Sequence, residues 1–464
     1  MQLRRDLGPV AATSVVVGSM IGSGIFFGPQ IVAWEFARHG IEPTAGLILS
    51  VWVVAGLLVL LGAITFAELA AAMPESGGQY AYLREAYGPG LGFLQGWSSF
   101  VIGKAASISA LALAFGSLLS ELEGGTYITA GLDTQLIAVA LIVFLTGVNY
   151  VGVKFGGWVQ TITTAIKVGA LVLLGLAALF LTPSGTSPVS APVEGDGRWW
   201  AAFGLALVPA LWAYDGWYNS TQVAEEVADP DRNLPLSLIG GTLAVMVVYF
   251  LANLAYVQVL GGDGLAGIQA ALGGDVTAAQ SPAGLASRLL GGDVLANVIL
   301  AGVLVSIFGT CNAVILTGPR IPFAMARDGV FFEGLVRVHD EFATPTNALL
   351  VQGIWSLALV FFLGTFENLI DLVIFATWLW VGLAGLAVIK LRKDRPDMRR
   401  PYKVKLYPWV PLAFVVLSGI FTLNLILEDP GGSALGALII LAGLPVYLWL
   451  KRSREPVDIE FEEV

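Results

Sequence analysis

The sequence predicts an all-α integral membrane protein with twelve transmembrane helices, arranged as two inverted five-helix halves followed by two further helices. Three observations predict it. First, the 464 residues are 56% hydrophobic and only 12% charged, whereas soluble domains carry roughly 25% charged residues. Second, the apolar residues fall in long runs. Third, the first and sixth of those runs are interrupted by residues that break helices.

The runs are 7–34, 43–67, 86–120, 134–153, 155–193, 199–224, 234–262, 294–319, 342–366, 372–389, 406–427 and 430–450. Each has about 18 or more residues with at most one charge, the length that spans a bilayer core as a helix. An even number places both termini on one side. With the N-terminus in the cytoplasm, nineteen Lys and Arg fall in cytoplasmic links and three, Arg38, Arg198 and Arg288, in outer ones. Lys104 and Lys167 lie within runs. That bias puts both termini in the cytoplasm. MQLRRD precedes an apolar run longer than a signal-peptide core of about 7–15 residues, with no small-residue cleavage site after it. The first run is therefore expected to stay, in a multi-pass protein of the plasma (inner) membrane.

Other classes are disfavoured. A net charge of −10 gives no sign of a nucleic-acid partner. One cysteine, Cys311, precludes an intramolecular disulfide. His39 and His339 are far apart, so neither a metal cluster nor a cofactor is expected. Residues 1–464 read as one domain, with repeats at 7–193 and 199–389 and two last helices at 406–450.

The first run contains GSMIGSGIFFGP, residues 18–29. A glycine costs about 1 kcal/mol against alanine inside a helix, and this stretch has four, with Pro29 besides. The sixth run contains FGLALVPALWAYDGWYNSTQ, with Pro209 and then Asp215-Gly216 near mid-span. These runs open the two halves, and interruptions at corresponding positions point to a transporter binding site. An odd number of spans per half makes the repeats inverted. An unwound turn frees N–H and C=O groups that lipid cannot satisfy, so such turns line cavities. Gly22-Ser23-Gly24 can present N–H groups to an anion at the start of the next half-helix. The carbonyls before the break can accept from an ammonium group. Close helix packing through small residues is the other reading of one such run; the pairing of two favours binding.

Four stretches, IGSGIFFGP, AYDGWYNSTQVAEEVADPDRNLP, GPRIPFAMARDGVFF and RRPYKVKLYPWVP, resemble the L-type amino-acid transporters of the amino acid–polyamine–organocation superfamily. The resemblance extends from the first span to the last. It implies a LeuT-like fold, a 5+5 inverted repeat with broken helices 1 and 6 plus two further helices. It implies that Ser23 and Gly24 bind the substrate carboxylate, and that the Met20 and Ile21 carbonyls meet its amino group. It likewise implies that Trp212 gates the site, with the carbonyls of Trp212, Ala213 and Asp215, beside Gly216, as further acceptors. Animal members join a glycoprotein through a cysteine between spans 3 and 4. Here that loop, ELEGGTYITAGLD, has none, so no disulfide-linked heavy chain is expected. Cys311 reads as a small packing residue.

Charge within a span is costly and marks function by default. Lys167 lies some twelve residues beyond Phe155, too deep to snorkel easily. In sodium-independent members a lysine of span 5 replaces a sodium ion, and Lys167 matches it. Its expected partners are the carbonyls near Gly18–Ile21 and Ser306 or Thr310. Lys104 has three readings: it touches the substrate side chain, pairs with Asp215, or is structural. Asn297, Asn312, Thr377 and Trp378 are further candidates for the cavity, with interhelical bonding or packing as the alternative. Asp229-Pro230 and Asn233 are turn chemistry, and Glu225, Glu226 and Arg232 form an inner gate, ion pairs with basic loops, or a solvated cluster.

The expected function is sodium-independent transport of small neutral, or else cationic, amino acids by alternating access, as an exchanger in the lipid bilayer. No Ser–His pair or paired carboxylates appear in the spans, so no enzyme is expected. An amine or polyamine exchanger and a non-transporting amino-acid receptor are the alternatives.

Overall fold

The computed structural model describes residues 3–121, 133–182, 198–272, 277–363, 366–428 and 430–452. Every regular element among them is helical, and an isolated bridge pairs Leu7 with Val227. A helix satisfies its backbone internally, which lipid requires. Eight helical stretches are long and apolar enough to cross a bilayer, and 134–150, 199–213 and 346–362 are shorter apolar helices. Large apolar side chains cover the outside: Phe180 is 80% exposed and Phe362 81%. Lipid is the solvent that tolerates such a surface.

The first run divides into α1 (Pro9–Met20) and α2 (Gly24–Ala37). α3 (Ala45–Ala72) is capped by Thr44, whose hydroxyl accepts from Leu47 N at 3.3 Å. α4 (Gln79–Tyr87) ends at Gly88, so the helix predicted from 86 starts instead at Pro89, as α5 (Pro89–Ser98). A π-turn over Ser99–Lys104 leads into α6 (Ala105–Glu121). α7 (Thr134–Tyr150) and α8 (Val153–Leu181) follow. Residues 183–193 of the fifth run, and 122–132 of ELEGGTYITAGLD, lie outside the described residues.

α9 (Trp199–Ala213) stops eleven residues short of its predicted end at 224. The chain beyond it makes turns and two 3₁₀ turns, at Asn219–Thr221 and Ala224–Glu226. Asp229 and Asn233, which donates to the Ala228 carbonyl, then turn the chain into α10 (Pro230–Pro235). A second π-turn precedes α11 (Gly241–Leu272), kinked at Gly261. α12 (Pro282–Thr317) begins well before the predicted 294, because a kink at Gly291 and Gly292 adds a polar-flanked arm ahead of the apolar run. α13 (Arg320–Arg327), α14 (Thr346–Leu363), α15 (Phe366–Asp394), α16 (Trp409–Glu428) and α17 (Pro430–Arg452) complete the chain.

α1 packs on α8 and α12, and α2 packs on α9 and α11. The two broken runs thus lie at the centre, with α8, α11 and α12 around them. Burial agrees: 78% of the first-run window is buried, against 22% and 28% for α16 and α17.

Candidate functional site

Two glycines let the broken helices touch. A Cβ on Gly24 would lie 2.7 Å from the Ala213 Cα, and one on Gly216 would lie 2.8 Å from the Ser19 Cβ. Gly216 also has φ 93°, which side-chain-bearing residues rarely adopt. The break after α1 and the break after α9 therefore meet face to face.

Several of the freed carbonyls, those of Gly18, Met20, Ile21 and Ala213 among them, are answered by neighbouring helices. Lys167, fully buried on α8, donates through Nζ to Gly18 O and Ile21 O, each at 2.7 Å. Ser306 O at 3.2 Å and Thr310 Oγ1 at 3.1 Å complete its surroundings. The Ser306 hydroxyl on α12 donates to Ile21 O at 2.8 Å. The Tyr249 hydroxyl on α11 lies 2.7 Å from Met20 O and 2.8 Å from Ala213 O, so it ties the two breaks together. Sequence reasoning missed Tyr249, because a tyrosine in an apolar run signals only core.

The donors beyond the break are less well answered. The first N–H groups of α2 have no helical acceptor by position. They open on a cavity of about 90 Å³ lined by Ser19, Met20, Gly22, Ser23, Gly24, Trp212, Ala213, Asp215 and Gly216. The Ser19 and Ser23 hydroxyls are buried there with no hydrogen-bond partner. Buried polar groups are rarely left so, and an orphan in a cavity calls for a ligand. The volume is well below the roughly 300–1,000 Å³ of drug-sized pockets, so the ligand is small.

The opposite wall is polar. The π-turn brings Ser99, Gly103 and Lys104 to the cavity, joined by Tyr218, Asn219 and Thr377. Lys104 Nζ donates to Asn219 Oδ1 at 2.6 Å and sits 5.3 Å from the Tyr218 ring centroid. It interacts with Asp215 through charge, while the Tyr218 hydroxyl faces both Asp215 and Thr377. The remaining candidates lie elsewhere. Trp378 is buried with its ring 5.0 Å from that of Phe421, away from the cavity lining. Asn312 bonds between helices, donating to Gln160 Oε1 at 2.9 Å and accepting from Asn149 Nδ2 at 2.9 Å. Asn297 is exposed on α12, and Cys311 is a buried free thiol.

The end of the bundle where α1 begins is closed by charge. Glu226 accepts from Arg320 Nε at 2.7 Å and Nη2 at 2.9 Å, with both side chains fully buried. Glu225 accepts from Arg327 at 2.8 Å and from the Ser76 hydroxyl at 2.8 Å. Arg84 bridges Glu75 and Asp328. Arg232 makes no ion pair among the described residues; its neighbour Asp231 pairs with Arg399 instead.

A family model described as amino acid permease matches residues 7–450. The chain belongs to that family, whose members are membrane transporters rather than enzymes. It is similar to the serine/threonine exchanger SteT of Bacillus subtilis (strain 168), 34% identical over 97% of this chain and 98% of the relative. It is 30% identical to the b(0,+)-type amino acid transporter 1 of Mus musculus, over 98% of this chain and 91% of the relative. The cystine/glutamate transporter of Homo sapiens is 29% identical over 98% of this chain and 87% of its own length.

Proposed function

We propose that this protein exchanges small neutral amino acids across a membrane, independently of sodium, by alternating access. The observation that carries the reading is the cavity at two facing helix breaks, with unpartnered serine hydroxyls and free N–H groups on one side and carbonyls on the other. An α-amino acid carries an anion and a cation on one carbon, and this arrangement suits both. Ser23 and Gly24 would take the carboxylate. The carbonyls of Met20, Ile21, Trp212, Ala213 and Asp215 would surround the amino group, with Gly22 and Gly216 keeping the backbone open and Trp212 above.

Sodium independence is supported by Lys167. A cation that touches Gly18 O, Ile21 O, Ser306 O and Thr310 Oγ1 occupies a place where a metal ion would otherwise gather oxygens. Neutral substrates are supported by the cavity wall that holds both Asp215 and Lys104: their opposite charges offset, and hydroxyl and amide groups remain for the substrate side chain. The similarity to a serine/threonine exchanger agrees with that wall and with exchange. In this reading twelve helices cross the membrane as a 5+5 inverted repeat plus two. Both termini face the cytoplasm of a plasma (inner) membrane, and no disulfide-linked heavy chain takes part.

The test is uptake of labelled alanine, serine, leucine and arginine into proteoliposomes, with and without internal amino acid. Serine or alanine uptake driven by internal amino acid supports the reading. An amino-acid methyl ester that competes as well as the free acid would point to an amine exchanger, in which Ser23 and Gly24 have no carboxylate to bind.

A further inference from the structure

A second cleft, of about 760 Å³, lies where α1 begins. Three segments wall it: residues 4–11, the turn from α7 into the first turns of α8, and Glu341-Phe342 ahead of α14. Each wall is fixed in place. Leu7 N donates to Glu226 O at 3.0 Å, and Leu7 O accepts from Ala228 N at 2.9 Å. Gly157 lets Leu7 press on α8, since a Cβ there would stand 2.9 Å from Leu7 Cδ2. Thr344 Oγ1 donates to Tyr150 O at 3.0 Å, and the Tyr150 ring meets His339 and Phe342 at 5.6 and 6.1 Å.

Four charged side chains open on this cleft: Arg4, Asp6, Lys154 and Glu341. All four are exposed and none makes a side-chain hydrogen bond or ion pair among the described residues, whereas Glu225, Glu226, Arg320 and Arg327 at the neighbouring closed end are paired. Two cations and two anions in one cleft suit a zwitterion. α1 and α8 both start here, and neither start has a side-chain cap. Their free N–H groups add to Arg4 and Lys154 in favouring a phosphate. The outer wall is apolar: Val10 is 66% exposed, Trp158 is 61% exposed, and the Phe155 and Trp158 rings stack 6.3 Å apart. Tryptophan so placed marks the headgroup level of a bilayer.

We propose that this cleft binds a phospholipid with an ethanolamine headgroup. Its phosphate lies at the starts of α1 and α8 with Arg4 and Lys154. Its ammonium lies between Asp6 and Glu341, and its acyl chains run past Phe155 and Trp158. A primary ammonium donates three hydrogen bonds to such carboxylates, and a choline group donates none. The proposal rests on membrane insertion and not on the transport reading.

The test is native mass spectrometry of the full chain in detergent, titrated with phosphatidylethanolamine, phosphatidylcholine and phosphatidylglycerol of matched acyl chains. Ethanolamine lipid is expected to bind at least ~10-fold more tightly than choline lipid, the size of one charge-assisted hydrogen bond. The Asp6→Asn, Glu341→Gln double variant should remove that preference and leave glycerol-lipid binding unchanged. Arg4→Gln with Lys154→Gln should weaken all three. Equal binding of the three lipids, or no response to either double variant, overturns the proposal. Glycerophosphoethanolamine that competes as strongly as the lipid also overturns it, because the ligand is then a soluble phosphate ester. Serine binding is measured on the same samples. Selective lipid binding by a wild type that binds no amino acid would sink the transport reading and leave this one standing.

Discussion

Lys167 is a buried lysine whose hydrogen-bond partners are three carbonyls and a hydroxyl, with no carboxylate among them. Removing it takes the ammonium donor from Gly18 O and Ile21 O, which keep only the Thr310 and Ser306 hydroxyls, and a hydrogen bond from a charged group is worth about 1.5–3 kcal/mol. Lys167→Ala should therefore lower exchange more than tenfold while protein still reaches the membrane, as judged by surface labelling beside uptake. At Gly24 there is no room for any side chain against Ala213. Gly24→Val should abolish uptake, and near-normal uptake by that variant would remove the carboxylate site. On the proposed reading, Lys104 and Asp215 decide charge selectivity. Lys104→Ala should gain some arginine uptake, because Asp215 loses its neutralising partner; Asp215→Asn should not. Strong arginine transport by the wild type, lost only in Asp215→Asn, would show that Asp215 serves the substrate instead. These residues were legible in the sequence because glycine, lysine and aspartate are conspicuous in apolar runs. Tyr249 and Ser19 were not. Their importance comes from carbonyls and cavities that another helix supplies, and no spacing along one chain shows that.

At the scale of elements, helix breaks were easier to foresee than helix ends. Gly22-Ser23-Gly24 and Asp215-Gly216 carry their disruption locally, and both runs do break there. The stop at Ala213, the arm before Gly291 and the end of α4 at Gly88 depend on backbone geometry that an apolar count does not register. Among the charged elements, the Glu226–Arg320 pair joins the segment after α9 to α13 at the closed end. Removing one partner of a buried pair typically costs about 3–5 kcal/mol. Glu226→Gln should therefore loosen that closure. Ser76, 1% exposed beside Glu225, is a position from which to read it. With Ser76→Cys as reporter and the native Cys311 buried, maleimide labelling should be several-fold faster with Glu226→Gln than without it. Equal rates would mean that the pair supports the fold without controlling access.

At the scale of the molecule, the apolar runs made the membrane class plain, since 56% hydrophobic residues in long blocks leave no soluble alternative. What the runs did not show is which helices form the centre. That follows from packing: α1, α2 and α9 lie inside α8, α11 and α12, while α16 and α17 stay at the edge. A central site between two breaks, with Lys167 proposed to stand in place of a metal ion, makes one claim above the others. Exchange should need an amino acid on both sides and no sodium on either. The direct measurement is labelled serine uptake into proteoliposomes loaded with serine or left empty, in sodium and in choline buffers. Uptake should be several-fold faster into loaded vesicles and the same in both buffers. Uptake that requires sodium, or that ignores the internal serine, would contradict the proposed role of Lys167 or the exchange cycle respectively.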